Sequence, residues 1–241
     1  HKIFYISMKI NCINFLYMLE FLPKKEIYMK ELFRKYLMEF IGTFFLFLTI
    51  GCSIFPNGRG SIPPIAIGLA LMVMVYAGGR ISGGHYNPAV SFAACIKGAL
   101  SWKQFIPYAI AQILGAAAAA GVVLYLVAVP PYSDEINFSI PAMIICELLF
   151  TFALCFVVLS TATSKSTEGN SFYGLAIGGT LATAIFATLG TCLGAFNPAV
   201  ALGLLIMKAA KFNLVWITII ENLAGGAIAA YAYKFIAAEH D

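Results

Sequence analysis

Two short stretches decide how this chain is read: Ser82-Gly83-Gly84-His85-Tyr86-Asn87-Pro88-Ala89-Val90 and Leu193-Gly194-Ala195-Phe196-Asn197-Pro198-Ala199-Val200. Both set Asn-Pro-Ala-Val at the head of a short apolar run, and their asparagines stand 110 residues apart. The same offset relates Ala66-Ile67-Gly68 to Ala176-Ile177-Gly178, and Gln112-x-x-Gly115 to Asn222-x-x-Gly225. Glu39 and Glu147, each in the first turn of an apolar run, are 108 apart. One Asn-Pro-Ala tripeptide says little, but a set of matches near one offset marks a duplicated unit. Asparagine is a favoured N-cap, and proline suits the first helical position because its missing N–H would have been unpaired there anyway. Each stretch therefore predicts a loop that becomes a short helix at Pro88 or Pro198.

The composition around these stretches is that of a membrane protein. Of 241 residues, 61% are hydrophobic and 11% charged, against roughly 45–50% and about 25% in soluble domains. Mean hydropathy is +0.88. The 15 Lys and Arg and 11 Asp and Glu are too few to coat a soluble globule of this size, the hydropathy excludes disorder, and a dispersed net charge of +4 is no nucleic-acid footprint. Cys12, Cys52, Cys95, Cys146, Cys155 and Cys192 show neither CxxC pairs nor adjacent histidines, so they read as buried thiols and not as metal ligands.

A spanning helix needs about 20 mostly apolar residues. Six windows qualify, near Tyr36 to Ile54, Ile62 to Gly79, Phe105 to Val129, Ile140 to Thr161, Phe172 to Gly190 and Leu214 to Phe235. Pro56-Asn57-Gly58, Pro130-Pro131 with Asp134 and Glu135, and the polar stretch Lys165 to Asn170 separate some of them. The runs are continuous and not alternating, which excludes strands of an outer-membrane barrel. An inward N-terminus puts Lys24, Lys25, Lys30, Arg34, Lys35, Arg80, Lys97, Lys103, Lys165 and Lys234 on the cytoplasmic side and only Arg59, Lys208 and Lys211 outside. This bias predicts a multi-pass protein of the cell membrane with both termini in the cytoplasm. Residues 1–28 read as an N-terminal extension, with Met29-Lys30-Glu31 resembling a start and Ile3 to Leu22 too polar to span; an interfacial helix is the other reading.

Each duplicated unit holds three spans, an odd number, so the second copy enters the membrane from the opposite side. Repeat 1 covers about 35–129 and repeat 2 about 139–235, within one domain over 29–238. The fold expected is all-α: a bundle of six transmembrane helices plus two re-entrant half-helices, built as an inverted internal repeat. Inversion brings the two half-helix N-termini together near the midplane, and irregular backbone at that depth is tolerated only where protein buries it or a wet cavity borders it. A pore follows. Each N-terminus carries roughly half a positive charge, so the pair repels cations and hydronium. As N-caps, Asn87 and Asn197 are expected to point their amide NH2 into the lumen as donors. Gly83, Gly84 and His85, with Leu193, Gly194 and Ala195, are placed to supply carbonyl acceptors to a single file.

These residues resemble the aquaporin, or major intrinsic protein, family. The resemblance runs from about Glu31 to Ala238 and includes Glu39-Phe40-Ile41-Gly42-Thr43, both Asn-Pro-Ala motifs and Ala111-Gln112. It implies a channel for water and small neutral solutes, a homotetramer in the lipid bilayer with one pore per subunit, and Glu39 and Glu147 as buried braces of the two loops; the competing reading of those acids is a charge at a helix end. It also implies an outer selectivity filter, carried over here to Ile67, Ile185, Gly194 and Val200. Most members have Arg where this chain has Val200, and glycerol-selective members usually have Asp where it has Ala201. The filter expected here is therefore apolar.

Other candidates carry two readings each. His85 is either a pore-lining titratable group or a structural hydrogen-bonding residue, and Glu221 is either a functional intramembrane acid or a contact between helices or subunits. Cys192 lies where thiol reagents would reach it from outside, and the run Ala116 to Ala120 favours close helix packing. His1 and His240 form no cluster. No P-loop, HExxH or nucleophile elbow suggests an enzyme, and nothing calls for a cofactor. An inverted-repeat secondary transporter and a non-conducting scaffold of the same fold remain as alternatives to a channel.

Overall fold

The structure is a computed structural model that describes residues 24–55, 62–130 and 139–237. The expectations for residues 1–23, Pro56 to Arg59, Pro131, Asp134, Glu135 and His240 lie outside the described residues. The chain divides into two compact units, His1–Lys35 and Tyr36–Asp241, and the residues of both Asn-Pro-Ala motifs belong to the second.

The described residues form eight α-helices: α1 (Lys24–Ile54), α2 (Pro63–Ser82), α3 (Pro88–Lys97), α4 (Trp102–Leu126), α5 (Ile140–Ala162), α6 (Tyr173–Thr188), α7 (Pro198–Ile206) and α8 (Phe212–Ile236), with a 3-10 turn at Lys165–Thr167. Five of them, α1, α2, α4, α5 and α8, are long and apolar enough to cross a bilayer. The helix expected over Phe172 to Gly190 is shorter, with 16 residues, or about 24 Å at 1.5 Å per residue. Both of its ends have local causes. Asn170 stops it at the N-terminal side by accepting the N–H groups of Phe172 and Tyr173 at 3.1 and 2.8 Å. At the other end Leu189 leaves helical geometry and Gly190 turns left-handed at φ 76°. The half-helices α3 and α7 have 10 and 9 residues and begin at the two prolines.

Close backbone approach organises the bundle. At the α2–α6 crossing a Cβ on Gly68 would lie 2.6 Å from the Gly178 carbonyl oxygen, and a Cβ on Gly178 would strike the Gly68 carbonyl in return. Two positions 110 residues apart thus face each other reciprocally, as residues beside a twofold axis must. Gly115 on α4 meets the backbone of Phe40 and Phe44 on α1, and its counterpart Gly225 on α8 meets Leu148 and Phe152 on α5. Small residues at such crossings let helices touch where lipid supplies no hydrophobic drive for association. Ala116, Ala119 and Ala120 are likewise buried, while Phe45, Ile110, Leu114, Leu175 and Ile220 face outward and exposed. That apolar exterior suits a bilayer and would be a liability in water. The half-helices are exchanged between repeats: α3 packs on α8, and α7 packs on α4.

Candidate functional site: two re-entrant loops facing one cavity

The local sequence builds the two loops in the same way. Asn87 and Asn197 are extended (φ −156° and −162°) and cap their helices, each Oδ1 accepting the N–H of the alanine two residues on, Ala89 or Ala199, at 2.9 Å. The residues before them, Tyr86 and Phe196, sit in the left-handed region at φ 49° and 48°, costly for residues with a bulky side chain. That turn aims two consecutive N–H groups of each loop at one buried carboxylate. Glu39 accepts His85 N–H at 3.0 Å and Tyr86 N–H at 2.7 Å; Glu147 accepts Ala195 N–H at 3.0 Å and Phe196 N–H at 2.8 Å. Both glutamates are fully buried. Amides from the last helix of each repeat complete the carboxylates: Gln112 Nε2 donates to Glu39 at 2.8 Å and Asn222 Nδ2 to Glu147 at 3.0 Å. In the first loop Ser82 Oγ donates to Glu39 as well, at 2.6 Å.

The loops are joined to each other through the asparagines. Asn87 Nδ2 donates to the Phe196 carbonyl at 2.8 Å, and Asn197 Nδ2 donates to the Tyr86 carbonyl at 2.9 Å. This corrects the expectation that both amides turn wholly to the lumen. The left-handed turns leave those two carbonyls buried, and an unpaired buried acceptor costs about 1–3 kcal/mol, so one N–H of each amide is drawn across. An amide carries two such hydrogens, which leaves one on each asparagine for a guest.

A cavity of about 150 Å³ opens onto this junction, where one water needs only about 10–15 Å³ of such volume. It is lined by Asn87, Asn197, Gly84, His85, Leu193 and Ala195, and by Ile67, Ile185, Gly194 and Val200. Most of its remaining wall is aliphatic, including Leu46, Ile50, Leu71, Leu154 and Leu181. The expected filter residues therefore meet on one cavity, with no Arg or Lys among the lining residues. Gly83 is the exception among the residues expected to supply carbonyl acceptors: it caps α2 in the left-handed region (φ 93°), giving its N–H to Gly79, and it does not line the cavity. His85 combines its two readings, since it lines the cavity while its Nδ1 lies 3.0 Å from Ser91 Oγ. Cys192 is buried and also lines the cavity; Glu221 is buried and does not. Tyr86 and Phe196, whose backbones hold the junction, went unassigned in the sequence, although their matching aromatic character one residue before each Asn was a visible signal.

Comparison with known proteins agrees with this architecture. A family model described as major intrinsic protein matches residues 26–233. The chain is 32% identical over 219 residues to aquaporin NIP1-1 of Zea mays, covering 84% of this chain and 74% of that one. It is 35% identical over 215 residues to glycerol uptake facilitator protein-like 6 of Lactiplantibacillus plantarum, covering 86% and 99%, and 32% identical over 228 residues to aquaporin Z of Rhodopseudomonas palustris, covering 85% and 94%. The X-ray structure of the aquaglyceroporin from Plasmodium falciparum shares the fold, with a TM-score of 0.69 at 22% identity over 84% of this chain and 95% of that one. The chain belongs to the major intrinsic protein family, the passive multi-pass membrane channels for water and small solutes.

Proposed function

We propose that water and small uncharged solutes cross this chain in single file through the cavity between the two Asn-Pro-Ala loops, and that ions are rejected at the asparagine pair. The observation that carries this reading is the reciprocal Asn87–Phe196 and Asn197–Tyr86 bonding. It holds two half-helix N-termini at one point, where their partial positive charges add in a low dielectric, and leaves one amide hydrogen on each side to orient a passing oxygen. The carbonyls of Gly84, His85, Leu193, Gly194 and Ala195 are the acceptors proposed along the file.

Ile67, Ile185, Gly194 and Val200 act as an aliphatic filter in this reading. Without guanidinium donors it repays less of the hydration a polyol gives up, yet it has no charge or fixed donor to discriminate among small neutral molecules. The named relatives include aquaporins and a glycerol uptake facilitator-like protein, which supports a pore for water and other small neutral solutes and not a dedicated polyol channel. The channel assembles as a homotetramer in the cell membrane with both termini cytoplasmic, and acts without cofactor, metal, nucleic acid or catalysis. Stopped-flow light scattering on proteoliposomes tests the function: osmotic water permeability above that of empty vesicles, independent of any sodium or proton gradient, is expected. Permeability equal to that of empty vesicles would leave the non-conducting scaffold, and gradient-dependent flux the coupled transporter.

A further inference from the structure

One face of α8 carries polar atoms that neither the loops nor the cavity use. Thr218 is 0% exposed and Glu221 6% exposed, and helical spacing makes Thr218 the neighbour of both Glu221 (i+3) and Asn222 (i+4). The Thr218 hydroxyl, both carboxyl oxygens of Glu221 and the Asn222 Oδ1 have no hydrogen-bond partner among the described residues. Asn222 spends its amide hydrogens on Glu147 and on Thr151 Oγ1 at 3.0 Å each, so only its oxygen is left. Glu221 lies about 14 Å along a helix about 37 Å long, which is membrane depth. None of the three lines the cavity.

The arrangement belongs to the second repeat alone. At the 110-residue offset, Glu221 corresponds to Ala111 and Thr218 to Tyr108, whose hydroxyl is paired with the Ser82 carbonyl at 2.8 Å. There, among the described residues, only the buried Gln112 Oε1 is left without a partner. Four such oxygens on three buried residues of one helix ask for a guest with hydrogens to give.

We infer that Thr218, Glu221 and Asn222 form a closed hydration site beside the pore, in which Glu221 keeps its proton and bound water joins its carboxyl group to the Thr218 hydroxyl and the Asn222 carbonyl oxygen. A carboxylate at this depth without a cation is strongly disfavoured, whereas a neutral carboxyl adds one donor and water adds two. Buried waters occupy such polar recesses and typically make about three hydrogen bonds each. The site stands one residue from the amide that completes the Glu147 brace, so it also stiffens the support of the second loop.

Infrared difference spectroscopy of the reconstituted full chain at pH 7 tests this, with water itself as the probe. Subtracting Glu221→Gln from the unsubstituted chain should leave a protonated-carboxyl C=O band that shifts to lower frequency in D2O. A carboxylate pair of bands in its place would mean that Glu221 is ionised and holds a cation, and would overturn the proposal. Thr218→Val keeps the shape but removes one partner, so the C=O band should move to higher frequency; an unmoved band would remove Thr218 from the site and sink the cluster. Both variants should elute as the same oligomer as the parent chain, since neither touches the loops.

Discussion

Glu147 holds two consecutive N–H groups, of Ala195 and Phe196, and receives a third bond from Asn222. Replacing it with Leu would fill the space but orphan both backbone donors in a buried loop, at about 1–3 kcal/mol each. Glu147→Leu is therefore expected to destabilise the fold by about 2–6 kcal/mol and abolish water flux, measured by thermal unfolding in detergent and by vesicle swelling. Asn197 separates two roles within one side chain. Asp caps a helix as well as Asn does, yet an ionised carboxylate has no hydrogen to give to the Tyr86 carbonyl. Asn197→Asp should keep the fold, break one of the two links between the loops, and set a negative charge where the helix dipoles converge. Cation leak measured with a pH-sensitive dye should rise and water flux fall; unchanged ion exclusion would show that the dipole barrier does not reside at this pair.

Among the elements, the α2–α6 crossing leaves no room for added volume. Gly68→Val would drive a branched side chain into the Gly178 carbonyl and the Ala182 Cβ, which an added Cβ already approaches to 2.6 and 2.7 Å. Overpacking of this kind costs roughly 1–3 kcal/mol, and because two backbones face each other no rotamer relieves it. A lowered unfolding temperature and lower yield of assembled protein should result, whereas Gly121→Ala, where a Cβ meets nothing within 4 Å, should be silent. The same crossing shows which features the sequence revealed and which it hid. The offset paired Gly68 with Gly178, and Asn-Pro marked where both half-helices start, because capping and the fixed φ of proline are local rules. Reciprocal contact between Asn87 and Phe196 was hidden, since it arises only when inverted copies meet. Gly83 was misplaced for a related reason: Gly-Gly reads as a flexible approach to a ligand, but the first glycine is consumed in ending α2. The short α6 depends on Asn170 turning back onto Phe172 and Tyr173, a choice that hydropathy does not register.

For the whole molecule, the proposed function assigns breadth of selection to one uncharged position, Val200. In the proposed reading the half-helix field acts at the asparagine pair and opposes ions whatever the filter contains, which makes ion exclusion and solute size selection separable. Val200 stands two residues into α7, is 2% exposed and lines the cavity beside Ile67 and Ile185. Val200→Arg adds a long planar donor group to that cavity and a positive charge on the same axis as the dipoles. It narrows the opening and supplies donors that suit water, so glycerol and urea flux should drop at least about tenfold, a barrier increase of about 1.4 kcal/mol, while water flux falls less. The ratio of the two fluxes, taken in one vesicle preparation, is the quantity to measure, because it cancels differences in reconstitution. An unchanged ratio would place the narrowest point elsewhere along the file, and the next residue to test would then be Ile185, on helix α6 of the same repeat.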